Sequence, residues 1–245
     1  MKVIIVSDKQ EMGKVAADLI EEDMAKKTPY VMGLATGTTP VPLYQEFIRR
    51  NKETGLDFST VITFNLDEYV GLDPDHDQSY RYFMNKELFD HVNINKKNTF
   101  VPPGNAEDLS AAGAQYEEAI RMAGGIDYQV LGIGSNGHIG FNEPGSSLSS
   151  RTRKVKLTES TITDNSRMFE KKEDVPTEAI TMGNGTILDS RRVLLMANGE
   201  NKADAVANSI EGPVTATVPA SSLQLHQNIT WIITQDAAGK LKLEW

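Results

Sequence analysis

Short apolar runs rich in β-branched residues alternate along this chain with segments of helical period. That alternation constrains the fold more than any other feature. Residues 3–6, 30–34, 61–66, 128–133, 193–196 and 229–234 read as buried strands. Helical patterns lie between them. One runs from about residue 10 to 26 through Val15, Ala16, Leu19, Ile20 and Met24, and a second passes through Leu43, Phe47 and Ile48. A third covers about 108–122 and a fourth covers 203–210. The pattern predicts βαβ units and an open, mostly parallel α/β sheet flanked by helices on both faces. In residues 151–158, Val155 and Leu157 alternate with Lys154, Lys156 and Thr158, the signature of a more exposed strand or hairpin. No repeat, low-complexity tract or linker is visible, so residues 1–245 are expected to form one domain.

Composition narrows the function. Lys and Arg number 25 against 34 Asp and Glu, a formal net charge of -9. That balance argues against a nucleic-acid binder, whose affinity rests on clustered cations, and against adsorption to anionic lipid. The chain has no Cys, which removes disulfides, Cys-ligated zinc, iron–sulfur clusters and thiol nucleophiles together. No run approaches a membrane span, and the apolar residues 3–6, followed by Ser7 and Asp8, are too few for a signal-peptide core. The expectation is a cytoplasmic protein.

Ligands of open parallel sheets sit beyond the carboxyl ends of the strands, so residues that follow strands carry the information. Thr36-Gly37-Thr38-Thr39-Pro40 follows the second strand and opens a helix. Gly37 permits positive φ, Pro40 suits the first helical position, and the hydroxyls and free N–H groups suit an anion at a helix N-terminus. Capping by Thr39 alone is the competing reading. Asp67 and Glu68 end the third strand. Adjacent strand residues face opposite ways, so one could face a ligand while the other packs or hydrogen-bonds; a solvated acidic turn is the competing reading. The loop Asp73-Pro74-Asp75-His76-Asp77 lacks the pattern of a calcium loop and reads as solvated.

Residues 132–137 match G-x-G-x-x-G, yet Gly140, Pro144 and Gly145 follow, so no helix opens and a dinucleotide site is disfavoured. The stronger reading centres on His138, with Asn136 before it and Glu143 after it. A His in a glycine-rich loop after a strand, beside a carboxylate and an amide, suits acid–base chemistry. His76, His91 and His226 lack such a setting. No G-x-S-x-G elbow is present. Carboxylate, imidazole and anion cradle together suit proton abstraction beside a carbonyl of a phosphorylated small molecule.

The stretches 36–40, 61–69 and 131–144, with 149–153 and 165–167, resemble glucosamine-6-phosphate deaminases over nearly the whole chain. The resemblance implies a Rossmann-like fold related to that of 6-phosphogluconolactonases. It implies conversion of glucosamine 6-phosphate and water to fructose 6-phosphate and ammonia, with no metal or organic cofactor. By position it makes Asp67 the base between C2 and C1 and His138 the ring-opening group, with Asn136 and Glu143 orienting that His. Thr36, Gly37, Thr38 and Thr39 become the phosphate loop, Arg167 and Lys202 its cations, and Tyr80 a neighbour of the site. Two departures stand out. Many members carry Asp where this chain has Asn136, which offers a hydrogen bond but no charge. Long members are hexamers activated by N-acetylglucosamine 6-phosphate. Here Arg153 matches their effector group, but Val155 replaces the expected Lys and the chain ends short of their C-terminal extension. The expectation is weak or absent activation, and a monomer or small homo-oligomer rather than an allosteric hexamer. The rivals are a 6-phosphogluconolactonase-like hydrolase and a non-catalytic sugar-phosphate sensor.

Overall fold

The computed structural model describes residues 1–166, 169 and 171–243. In chain order the elements are β1 (Lys2–Val6), α1 (Lys9–Met24), β2 (Val31–Leu34), α2 (Val41–Glu53), β3 (Ile62–Asn65) and β4 (Asp67–Tyr69). Next come α3 (Tyr80–Met84), which runs on into a π-helical turn at Asn85–Phe89, then β5 (Thr99–Phe100), α4 (Leu109–Met122) and β6 (Tyr128–Leu131). The remainder is β7 (Arg153–Lys156), α5 (Glu159–Asn165), β8 (Glu178–Thr181), α6 (Asn184–Leu188), β9 (Arg192–Ala197), α7 (Ala203–Ile210) and β10 (Ile229–Thr234).

Seven strands form one sheet in the order β1-β10-β9-β6-β2-β3-β5, and every pairing in it is parallel. Both of its faces are dry. On one, Val31, Phe64, Leu131, Val193 and Trp231 pack with Tyr116 and Ile120 of α4 and Val206 and Ile210 of α7. On the other, Met32, Leu34, Val130, Leu194 and Ile232 pack with Met12 and Ile20 of α1 and Leu43 and Phe47 of α2. Cover on both faces is why these strands read as continuous apolar runs rather than alternating ones. Local chemistry sets the helix starts. Asp8 accepts the N–H groups of Gln10 and Glu11, and Asp108 those of Ser110 and Ala111. In α2, Pro40 occupies the capping position and Val41 begins the helix, one residue later than the sequence suggests, and no side chain caps it.

The larger departure from the sequence pattern is a second, antiparallel sheet in the order β4-β8-β7. The apolar run 61–66 does not continue as one strand. It leaves the parallel sheet after Asn65 and re-enters a different sheet at Asp67. The alternating segment around Val155 is indeed a strand, but it pairs with the distant β8 rather than folding back as a local hairpin. Val155 packs against a third apolar cluster that contains Tyr69, Phe141, Leu157 and Ala179.

Backbone approach seals the small sheet against the rest. A Cβ placed on Gly104 would lie 2.0 Å from the carbonyl oxygen of Tyr69 in β4. Gly104→Ala should therefore push β4 away and destabilise the fold by about 1–3 kcal/mol, the usual cost of overpacking. A urea denaturation midpoint equal to that of the wild type would contradict this close fit.

Candidate active site

Three adjacent strands, β6, β2 and β3, carry at their carboxyl ends the three stretches singled out in the sequence. The topology therefore brings together residues 36–39, Asp67 and the His138 loop. After β2, Gly37 takes φ of 93° in open space, a backbone state that suits Gly. Thr38 is exposed, while Thr36 and Thr39 are half-buried. Among the described residues, no protein acceptor takes the backbone N–H groups of residues 36–39. These donors stand at the start of a 13-residue helix, where a phosphate is favoured.

Asp67 and Glu68 diverge as alternation requires. Glu68 turns to the start of α3 and accepts the N–H groups of Tyr80, Arg81 and its neighbour Tyr69 at 2.9 Å. Its carboxyl nonetheless lies above the usual range, because burial outweighs those three donors. Asp67 is 5% exposed, and among the described residues no donor is hydrogen-bonded to its carboxylate. Burial first, and the charge of Glu68 second, push Asp67 up to about 8. Its Oδ2 lies 3.4 Å from where a Cβ on Gly140 would stand, so the bare Gly140 lets the carboxylate approach the His138 loop.

That loop opens no helix after Gly137, as its glycines and Pro144 predict. Its turn is fastened to β8 and its neighbours: the Phe141 N–H donates to Thr181 Oγ1, and Asn142 Nδ2 donates to the carbonyls of Ile139 and Met182. Within it, Asn136 Oδ1 lies 2.8 Å from His138 Nδ1, and Asn136 Nδ2 donates to Glu143 Oε2 at 2.9 Å. His138 Nδ1 is 3.4 Å from the same Glu143 oxygen. This arrangement assigns the proton to Nδ1 and leaves Nε2 for a ligand. Burial alone would raise Glu143. The His138 ring, the Thr161 hydroxyl and the Asn136 amide outweigh it and hold the carboxyl at about 2.

Tyr80 stacks on Phe141 with ring centroids 6.1 Å apart and lies 4.8 Å from the ring of Tyr69. Of this aromatic cluster only Tyr80 is singled out in the sequence, through the resemblance; Tyr69 and Phe141 are ordinary core residues by sequence. Lys202 sits between β9 and α7, beyond the carboxyl end of the strand beside β6. Arg167 lies outside the described residues. Arg153 donates from Nη1 to Asn142 Oδ1 at 2.9 Å and so braces the His138 loop from behind. His226 is a packing residue, with its Nε2 2.7 Å from the Ser190 carbonyl, and residues 73–77 are exposed. A separate surface cavity of about 540 Å³, bordered by Glu117, Arg151 and Asp189, contains none of the site residues.

Comparison with known proteins identifies the family. The family model described as glucosamine-6-phosphate isomerases/6-phosphogluconolactonase matches residues 7–231. The chain is 56% identical over 241 residues to the glucosamine-6-phosphate deaminase of Cellvibrio japonicus, covering 98% of this chain and 92% of that protein. Against the Clostridium perfringens deaminase it is 51% identical over 242 residues, covering 99% and 100%. A solved structure of a monomeric glucosamine-6-phosphate deaminase superposes with a TM-score of 0.95 at 43% identity, covering 98% of this chain and all of the other, 100%. The 6-phosphogluconolactonase of Leishmania guyanensis shares the fold, with a TM-score of 0.77 at 19% identity and 99% of each chain covered. This chain belongs to the family of glucosamine-6-phosphate isomerases and 6-phosphogluconolactonases.

Proposed function

We propose that this protein is an enzyme that converts glucosamine 6-phosphate and water to fructose 6-phosphate and ammonia in amino-sugar breakdown. It works in the cytoplasm as a single catalytic domain. The observation that carries the roles is a buried carboxylate, Asp67, poised beside the His138 loop and next to an anion cradle. The 6-phosphate binds the N–H groups and hydroxyls of Thr36, Gly37, Thr38 and Thr39, with Arg167 and Lys202 as cations. His138 Nε2 takes the proton of the C1 hydroxyl and returns it to the ring oxygen, which opens the ring and exposes an aldehyde. The aldehyde acidifies C2–H. Asp67 takes that proton and delivers it to C1 while a proton of the C2 amine passes to O1, which leaves a C1 alcohol and an imine at C2. Water adds to C2, the nitrogen leaves as ammonia, and a ketone remains. Tyr80 walls the site.

Asp67 must be ionised to act as a base. In the free enzyme kcat/KM should therefore rise with pH through about 8 and then level off. Stability runs the other way. The folded state holds a proton on Asp67 that the unfolded chain, with an ordinary carboxyl, releases. The stability this group contributes is full below about 4 and is lost as pH rises toward about 8. Asp67→Asn should abolish ammonia release. It should also melt above the wild type at pH 8, with the gap closing near pH 4. Ammonia release that survives the substitution, or lactone hydrolysis by the wild type in its place, would overturn the assignment.

Asn136→Asp would set a second carboxylate 2.9 Å from Glu143 Oε2. One proton must then be shared across the pair. The carboxyl titration of Glu143, followed by 13C NMR, should then show proton uptake well above about 2, and an unmoved titration would show that the amide does not keep Glu143 ionised.

Val155 is packed against the small sheet's apolar cluster, and Arg153 is engaged by Asn142. We expect hyperbolic kinetics in a monomer or small oligomer, insensitive to N-acetylglucosamine 6-phosphate. A sigmoidal curve straightened by that compound would refute this.

A further inference from the structure

Helix α5 touches both chemical arms of the site with residues one turn apart. Thr158, at its N-cap, and Thr161, in its first turn, both donate hydroxyl hydrogen bonds to Glu143 Oε1, the Thr158 contact at 3.2 Å. Glu143 Oε2 is thereby left to Asn136 and, through it, to His138. Four residues on from Thr161, Asn165 Nδ2 donates to the hydroxyl of Tyr69 at 2.8 Å. Tyr69 is fully buried and lies two residues after Asp67 in the same strand, β4. Residues four apart share one face of a helix. One face of α5 therefore holds the His138 arm at one point and the Asp67 arm at the other.

We propose that Thr161 and Asn165 are positioning residues that set the imidazole of His138 and the carboxylate of Asp67 in register across the substrate. The inference rests on the roles assigned above to those two groups. Neither Thr161 nor Asn165 needs to touch the sugar. Ring opening and proton transfer act on adjacent carbons of one molecule, so their two groups must be held to a fraction of an ångström relative to each other. The arms come from different sheets, β6 of the parallel sheet and β4 of the antiparallel one, and α5 is hydrogen-bonded to both.

Kinetics test this in the full chain. Thr161→Val keeps shape and removes the hydroxyl, while Thr161→Ser keeps the hydroxyl. Thr161→Val should lower kcat about tenfold, the range seen when an orienting partner is lost, with KM for glucosamine 6-phosphate within twofold. Thr161→Ser should restore kcat to within twofold. In a Glu143→Gln background Thr161→Val should add nothing, because the group it positions is already compromised; a general packing defect would add its full cost there. On the other arm, Asn165→Leu and Tyr69→Phe should each lower kcat, and together no further than the larger of the two. The proposal fails if Thr161→Val keeps kcat within twofold while Glu143→Gln does not. It also fails if Thr161→Val costs as much in the Glu143→Gln background as in the wild type. Should Thr161→Val not fold, the Asn165 and Tyr69 cycle decides, and additive losses there overturn the proposal. If Glu143→Gln itself leaves kcat unchanged, the assigned role of Glu143 is what fails.

Discussion

The site depends on what the backbone does at Leu66. Its N–H donates to the Leu34 carbonyl of β2 at 3.0 Å, and its carbonyl accepts the Met182 N–H at 2.7 Å. The first bond belongs to the parallel sheet and the second to the edge of the antiparallel one. Leu66 is therefore the point at which the chain changes sheets without leaving a hydrogen-bonded environment. Asp67, the next residue, is carried past the end of the parallel sheet, where ligands gather, yet remains roofed by β8. Had the chain ended its strand in an ordinary turn, the carboxylate would be solvated and a weak base. Had β3 continued, the side chain would have entered a dry core with no route to a ligand. The switch at Leu66 gives both burial and access.

The electrostatics follow from that placement. Glu68 cannot share the pocket, because alternation sends it to the opposite face, where three backbone N–H groups receive it. It still acts on Asp67 through its charge, the second cause of the raised value after burial. Buried carboxylates of this kind cost stability at neutral pH, and such costs cluster where chemistry needs a group out of its ordinary range. The fold meets the cost with two extensively buried faces on its parallel sheet.

Much of this was legible in the sequence, for identifiable reasons. Strands buried on both faces leave unbroken apolar runs, and all six sequence-assigned runs correspond to strands of the parallel sheet. The motif residues follow strands that turn out to be neighbours, which is why stretches some 30 and 70 residues apart converge. What the sequence concealed has a common cause. β4 is three residues long and carries two carboxylates, and β8 opens on Glu178, so neither is an unbroken apolar run, and β4 pairs with a partner more than 100 residues away. The contacts of Thr158, Thr161 and Asn165 were hidden for a related reason, although Asn165 falls in the resembling stretch 165–167. Hydroxyl side chains at the start of a helix look like caps, and an amide at its end looks solvated; only tertiary contact shows that Glu143 and Tyr69 lie at the other end of those bonds.

The choice of Asn at position 136 has a physical logic of its own. An amide has one donor end and one acceptor end, so the array it joins acquires a direction. Hydroxyls of Thr158 and Thr161 give to one oxygen of Glu143, the Asn136 amide gives to the other, and Asn136 Oδ1 receives the His138 Nδ1 proton. No second negative charge is needed to fix the imidazole's tautomer, and Glu143 stays ionised, held at about 2. Asp67, given no hydrogen-bond donor among the described residues, goes to about 8. Environments thus drive two carboxylates about six units apart, one a permanent anion and the other a group able to exchange protons near neutrality, which is the division of labour that the proton transfer proposed for this site requires.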